Sequence, residues 1–242
     1  MVSSLVTVPP DGLRVYQRPV LSTAPPYRRT SRPRTAGINA IDVVEGDKLL
    51  AVRVTDGDHH VLLATASGYS IRFHEDDVRP MGRVARGVKG IALRSDDRVV
   101  SMEVLEDEGA ILTVSERGYG KRTDVAEYRL QGRGGKGILN LKLSDKTGPV
   151  VGVRQVVPGQ EVVLITQEGK IIRTSVDDIR VIGRATQGVR VMHLSDEDRL
   201  VALAKVVERE EDADAGAAAQ EPDAAGAAEA AEDAEPPEEP VN

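Results

Sequence analysis

An all-β array of stacked, repeated units is the fold class this sequence predicts, and three observations predict it. Gly68-Tyr69-Ser70-Ile71-Arg72, Gly118-Tyr119-Gly120-Lys121-Arg122 and Gly169-Lys170-Ile171-Ile172-Arg173 stand 50 and 51 residues apart, and self-similarity at such a period marks a propeller or solenoid array. The apolar runs around them are short, rich in Val, Ile, Leu and Thr, and bounded by Gly, Asp and Ser, which favours strands over helices. With 2% aromatic residues and no Trp in 242 positions, the core must be aliphatic, and the length suits one good-sized domain. A single four-stranded unit has no way to bury both of its faces, so neighbours must stack.

Each unit reads in the same order. An apolar run (61–66, 110–114, 162–166) leads into the Gly-x-x-x-Arg strand, then into acidic residues at Asp76-Asp77, Asp124 and Asp177-Asp178. A basic glycine turn follows, at 82–90, 131–137 and 183–190, and then another apolar run at 91–93, 138–143 and 191–193. Residues 98–104 alternate partly as a strand, 155–163 join two strands through the turn Pro158-Gly159, and 199–206 resemble the first strand of another unit. The expected organisation is a basic, Pro-rich segment at 1–37 that forms a degenerate partial unit, repeats at 38–207, and an acidic tail at 208–242. The array is expected to hold about four repeats of roughly 50 residues, open or incomplete. Prolines 9, 10, 19, 25, 26 and 33 interrupt strands in the first segment.

The formal charge of −7 is segregated along the chain. Residues 208–242 carry 13 acidic residues and one basic, leaving the other 207 at +5. The tail is Ala, Glu, Asp and Pro with almost no large apolar residue, so it is expected to be disordered. Tethered to the repeats, such a polyanion would compete with phosphates for cations, or simply confer solubility. Within the repeats the cations follow the Gly-x-x-x-Arg strands and glycine turns, and acids collect at 95–97, 106–108 and 195–198. One positive and one negative rim is the expectation.

Gln131-Gly132-Arg133-Gly134-Gly135-Lys136-Gly137 is the most telling stretch. Glycine reaches positive φ cheaply and leaves amide groups open, while Arg133 and Lys136 supply charge that neutralises a nucleic-acid backbone. With Arg83, Arg86, Lys89, Lys121, Arg122, Arg184 and Arg190 as further backbone contacts, the expected ligand is double-stranded DNA, held by phosphates and deformability with little base readout. Here the chain resembles the C-terminal DNA-wrapping domain of the DNA gyrase A protein, which is a β-pinwheel. Six of seven positions of that family's box motif match at Gln131, Arg133, Gly134, Gly135, Lys136 and Gly137; Gly132 departs, where the family carries a cation. The resemblance runs from about residue 35 to 207 and faintly back to Leu5. It implies a module that bends DNA around a basic rim to support supercoiling by an ATP-dependent type II topoisomerase, beside gyrase catalytic subunits. It also implies no enzyme activity of its own, since nothing here is long enough to hold the family's catalytic-tyrosine region. Whether the chain is a fragment, a split subunit or a stand-alone paralogue stays open. The competing reading is a propeller-like protein-interaction scaffold that has lost DNA binding, in which the glycines only shape turns.

Other chemistries fit poorly. Leu130 stands where a nucleotide P-loop needs glycine and Gly137 where it needs Ser or Thr, and no cofactor or small-molecule substrate is expected. His59, His60, His74 and His193 lack ligand spacing, cysteine is absent, and no metal is expected. The Asp pairs recur with the repeat and read as turn residues, and Tyr69, Tyr119 and Tyr128 as packing, with Tyr128 alternatively stacking near DNA. No apolar run approaches the length that a membrane-spanning helix needs, so no membrane contact is expected and a cytoplasmic, nucleoid-associated location follows.

Overall fold

The computed structural model describes residues 2–8, 13–19, 48–55, 57–81 and 87–206. All regular structure among them is β, apart from three single 3-10 turns. Fifteen strands follow in chain order: β1 Val2–Val8, β2 Leu13–Pro19, β3 Lys48–Thr55, β4 His60–Thr65, β5 Tyr69–His74, β6 Val88–Ile91, β7 Val99–Leu105 and β8 Ala110–Ser115. Then come β9 Tyr119–Asp124, β10 Ile138–Leu139, β11 Val150–Val156, β12 Glu161–Thr166, β13 Ile171–Ser175, β14 Val189–Arg190 and β15 Leu200–Lys205. They form four antiparallel sheets, blades A to D, ordered β3-β1-β2-β6, β7-β4-β5-β10, β11-β8-β9-β14 and β15-β12-β13.

The connectivity is offset by one blade. A central hairpin (β4–β5, for example) is followed by an outer strand that joins the blade before it, and the chain then returns with an inner strand beside its own hairpin. Thus β6 pairs β2, β10 pairs β5 and β14 pairs β9, while β7, β11 and β15 pair β4, β8 and β12. Blades A, B and C therefore each borrow an edge from a later part of the chain. The strands β1 and β2 make the central hairpin of blade A, so the first 37 residues contribute half of a four-stranded sheet. The expected boundary near 37 and the acidic tail at 208–242 lie outside the described residues.

Packing explains why the units must stack. Val61 and Leu63 of β4 join Ile71, Phe73, Ile91 and Met102 in one cluster, whereas the alternate residues Leu62 and Ala64 join Ile111, Tyr128, Leu141 and Val153 in the next. The strand period of two sends successive side chains to opposite faces, so β4 seals blade B against A on one face and against C on the other. The same division occurs at β8, where Ile111 faces B and Leu112 and Val114 pack with Val162, Leu164 and Leu203 of blade D.

The hairpins end in repeated local chemistry. The side chains of His74, Asp124 and Ser175 each accept the amide two residues ahead (3.2, 2.7 and 3.2 Å), starting the 3-10 turns Glu75–Asp77, Val125–Glu127 and Val176–Asp178. The acidic pairs 76–77 and 177–178 are the turn residues their recurrence suggested. Tyr128 is fully buried, its hydroxyl donating to Asn140 Oδ1 at 2.6 Å while Asn140 Nδ2 donates to Thr113 (3.0 Å). This is packing, not a stacking platform.

Candidate nucleic-acid interface

The glycine turns 131–137 and 183–188 lie along the perimeter, each pressed against the outer strand contributed by the repeat before it. In the turn 131–137, Gly134 N donates to Gly90 O (2.6 Å) and Gly135 O accepts from Ala92 N (2.9 Å), so the turn caps β6 of blade A. In the turn 183–188, Thr186 O accepts from Lys142 N at 2.9 Å, capping β10 of blade B. Glycine is required where these turns close. Gly137 and Gly188 have φ of +69° and +77°, and a Cβ would lie 2.5 Å from Ser70 O and 2.6 Å from Gly120 O.

Outer strands and turns consequently alternate around the rim and bring cations with them. Lys89 on β6, Arg133 and Lys136 in the middle turn and Arg190 on β14 are exposed, and Arg184 and Gln131 are half-buried. Arg133 Nε donates to Asp77 O (2.6 Å) and NH1 to Lys89 O (3.3 Å), and Arg184 NH1 donates to Leu139 O (3.0 Å), which is the same outer-strand position one repeat on. These arginines brace their turns with part of the fork. At the third turn Gln187 stands where the middle turn has Lys136, so the cationic density falls along the rim. Arg83 and Arg86 lie outside the described residues.

Lys121 and Arg122 are not rim cations. Lys121 is 0% exposed, and its ammonium donates to Gly183 O (2.6 Å) and Arg184 O (2.5 Å). Burial pushes its pKa down to about 8, Glu127 opposes and Arg184 adds to the lowering. Arg122 donates through Nε to Ile179 O (2.7 Å) and through NH1 to the Asp177 carboxylate (3.1 Å), as Arg72 donates to Val125 O and Tyr128 O, both at 3.3 Å. The physical reason is topological. The β5 and β9 strands each run between a hairpin partner and an outer strand, so their side chains enter the space between repeats, and the Gly-x-x-x-Arg cation clamps the following repeat.

Sequence reasoning missed other cations. Arg94 lies over the Tyr69 ring at 3.3 Å and donates to Lys136 O (3.2 Å). One repeat on, Tyr119 accepts from Arg190 NH2 (3.0 Å), with Lys146 4.9 Å from its ring centroid. That hydrogen bond from Arg190 lowers the phenol pKa against the opposing effect of burial, and Lys146 adds to the lowering. Arg117, Lys146, Arg190 and Arg199 surround a cavity of about 210 Å³ over Tyr119, which Asp196 and Asp198 also line. The expected separation into a positive and a negative rim therefore fails at this loop, where acids stand among the cations. The recurrent Gly-Tyr pair was the available signal for these stacked cations.

The fold and rim define a β-propeller-like repeat protein whose perimeter carries cationic glycine turns. The family model described as DNA gyrase C-terminal domain, beta-propeller, matches residues 29–56, 59–106, 110–156 and 160–206, and the chain belongs to that family. It is similar to the gyrase A protein of Klebsiella oxytoca, 40% identical over 204 residues that span 84% of this chain and 23% of the relative. It is also similar to the gyrase A protein of Halalkalibacterium halodurans, 58% identical over 173 residues, or 72% of this chain and 21% of the relative. The chain thus spans less than a quarter of the length of these curated relatives. A solved gyrase A C-terminal domain superposes with a TM-score of 0.72 at 26% identity, covering 85% of this chain and 66% of the other. The C-terminal domain of DNA topoisomerase IV superposes with a TM-score of 0.75 at 24% identity, covering 85% and 61%, and shows the shared fold.

Proposed function

We propose that this chain is a non-catalytic module that binds duplex DNA and bends it around the rim, serving a type II topoisomerase whose other parts cut and pass the strands. The observation that carries the reading is the alternation of outer strands and turns, which sets Lys89, Arg133, Lys136, Arg184 and Arg190 in succession on one perimeter. Bending 20–30 base pairs by 40–90° costs on the order of 1–6 kcal/mol, so no single turn holds a wrapped duplex and the series must act together. Contacts go to phosphates, and Arg94, Lys142 and Lys146 extend the track. The partners are double-stranded DNA and gyrase-type catalytic subunits, in the cytoplasm beside the nucleoid. The acidic tail at 208–242 competes with DNA for the rim, so its deletion tightens binding.

The test is duplex affinity across salt concentration followed by ligation and topology analysis of relaxed plasmid. Five engaged phosphates give a slope of about −4.5 in log affinity against log salt, and a slope shallower than about −3 contradicts a multi-turn wrap. Absent duplex binding together with an unchanged linking number would instead favour the interaction-scaffold reading.

A further inference from the structure

Beside the cationic turns, each repeat exposes a pair of residues that neither the turns nor the outer strands account for. Arg79-Pro80, Arg129-Leu130 and Arg180-Val181 share one repeat position, just ahead of the glycine turns, and all six residues are exposed. Leu130 is 55% and Val181 58% exposed, although the residues two places before them, Tyr128 and Ile179, are buried, as Val78 is before Pro80. The backbone of each pair is anchored. The amides of Val78, Tyr128 and Ile179 donate to the carbonyls of Glu75, Val125 and Val176 (2.9, 3.1 and 3.0 Å), closing the 3-10 turn in front of the pair. Behind the middle pair Gln131 N donates to Arg72 O (2.9 Å), and behind the third Ile182 N donates to Arg122 O (2.8 Å). The inward-turned cations complete the anchorage, Arg72 NH1 reaching Tyr128 O (3.3 Å) and Arg122 Nε reaching Ile179 O (2.7 Å). The clamp between repeats therefore also fixes the backbone that presents the exposed pair.

These pairs share an edge with the cationic track. Leu130 lies in parallel register beside Arg72 of β5, and the chain reverses through the turn 131–137 to set Ile138 and Leu139 antiparallel against Ser70 and Tyr69 of the same strand. Val181 beside Arg122 of β9, followed by Val189 and Arg190 against Gly120 and Tyr119, repeats the arrangement. The pair, the turn and the outer strand thus line one perimeter. Among the described residues the guanidinium groups of Arg79, Arg129 and Arg180 make no hydrogen bond or ion pair, whereas those of Arg133 and Arg184 brace their turns.

We infer, on the basis of the DNA-wrapping reading, that these pairs enter the minor groove of the bent duplex where it faces the rim. Arg79, Arg129 and Arg180 place their open donors in the groove, and Pro80, Leu130 and Val181 pack against the deoxyribose rings that wall it. A residue that served phosphates alone would gain from charge or a hydrogen-bonding group. An aliphatic side chain or proline at this place in every described repeat instead matches an apolar surface, which on the outside of a duplex the sugars supply. Bending around a protein compresses the groove on the inner side, and a narrow minor groove carries a stronger negative potential that attracts arginine. Arginines inserted where the minor groove faces inward hold wrapped DNA without base-specific contacts. Runs of A·T pairs have a narrow minor groove, so the rim should favour duplexes in which such runs turn toward it.

The test compares three duplexes of equal length by anisotropy titration of the full chain at one salt concentration. The first carries A·T runs repeated every ~10 base pairs, the second has G·C in their place, and the third has inosine for guanine in those runs. The first should bind at least about fivefold more tightly than the second, and the inosine duplex should match the first because it lacks the minor-groove amino group of guanine. Arg129→Ala combined with Arg180→Ala should bring the three affinities together, whereas Lys136→Ala should weaken all three and keep their ratio. Leu130→Gln combined with Val181→Gln should weaken all three with the salt slope unchanged, since an apolar contact releases no counterion. All four substituted positions are exposed, so melting temperatures should hold. Tight binding of all three duplexes with equal affinity overturns this inference and leaves the wrapping proposal standing, as does a preference that survives the double arginine variant. Affinities untouched by the glutamine pair overturn the sugar contact. Absent duplex binding by the unaltered chain overturns both readings.

Discussion

The buried ammonium of Lys121 makes stability depend on alkaline pH in a way that can be worked out from the structure. Its folded pKa of about 8 lies below the ordinary lysine value of 10.5, because burial disfavours the charged form. Between those two pH values the unfolded chain holds a proton that the folded chain has released, so stability rises with pH across the window, at a limiting slope of about 1.4 kcal/mol per unit. The full gain, over about 2.5 units, is on the order of 3 kcal/mol. Denaturant unfolding of the protein and of Lys121→Met between pH 7 and 10.5 should therefore show the stability difference moving toward the lysine form as pH rises. Subtracting the variant cancels other titrations, including that of Tyr128, whose raised pKa acts above pH 10 and in the opposite sense. Because the neutral amine still donates to Gly183 O and Arg184 O, the turn 183–188 stays anchored throughout. A difference that is flat across the window would refute the reasoning.

Other substitutions separate the rim from its supports. Lys136→Ala is expected to reduce the magnitude of the salt slope of duplex binding by about 1 while leaving the unfolding midpoint unchanged, read by titration and thermal melts. Arg122→Leu should do the reverse, lowering stability by about 1–3 kcal/mol because the Ile179 carbonyl and Asp177 lose a charged donor, with the salt slope preserved. Gly188→Ala, at φ +77° against Gly120 O, should cost more than about 1 kcal/mol of stability and weaken DNA binding with it. Tyr128→Phe removes the donor to Asn140 Oδ1 and should cost about 1–2 kcal/mol by denaturant unfolding without changing DNA affinity.

The repeat, the strand content and the hairpins of blades B, C and D were legible in the chain, because Gly68, Gly118 and Gly169 mark turns that only glycine closes cheaply, and the runs before them are short and aliphatic. The middle turn was legible as cationic for the same local reason: Arg133 and Lys136 sit among closely spaced glycines. The roles of Lys121 and Arg122 were not. Their spacing is identical whether they point outward or between blades, and the outcome depends on β14, an outer strand far downstream that covers β9. Arg94 and Lys146 escaped notice because their partners, Tyr69 and Tyr119, lie well before them in the chain, beyond the reach of any local pattern.

By itself the amino-acid order determined what is set by near neighbours: a regular repeat, short aliphatic strands, glycine turns bearing positive charge, and an acidic end. Only the tertiary structure decided which of those charges face solvent and which, like Lys121, are buried between blades. Each outer strand is lent across a blade boundary, and although the outer segments recur with the repeat, nothing in that local pattern says which hairpin each of them joins.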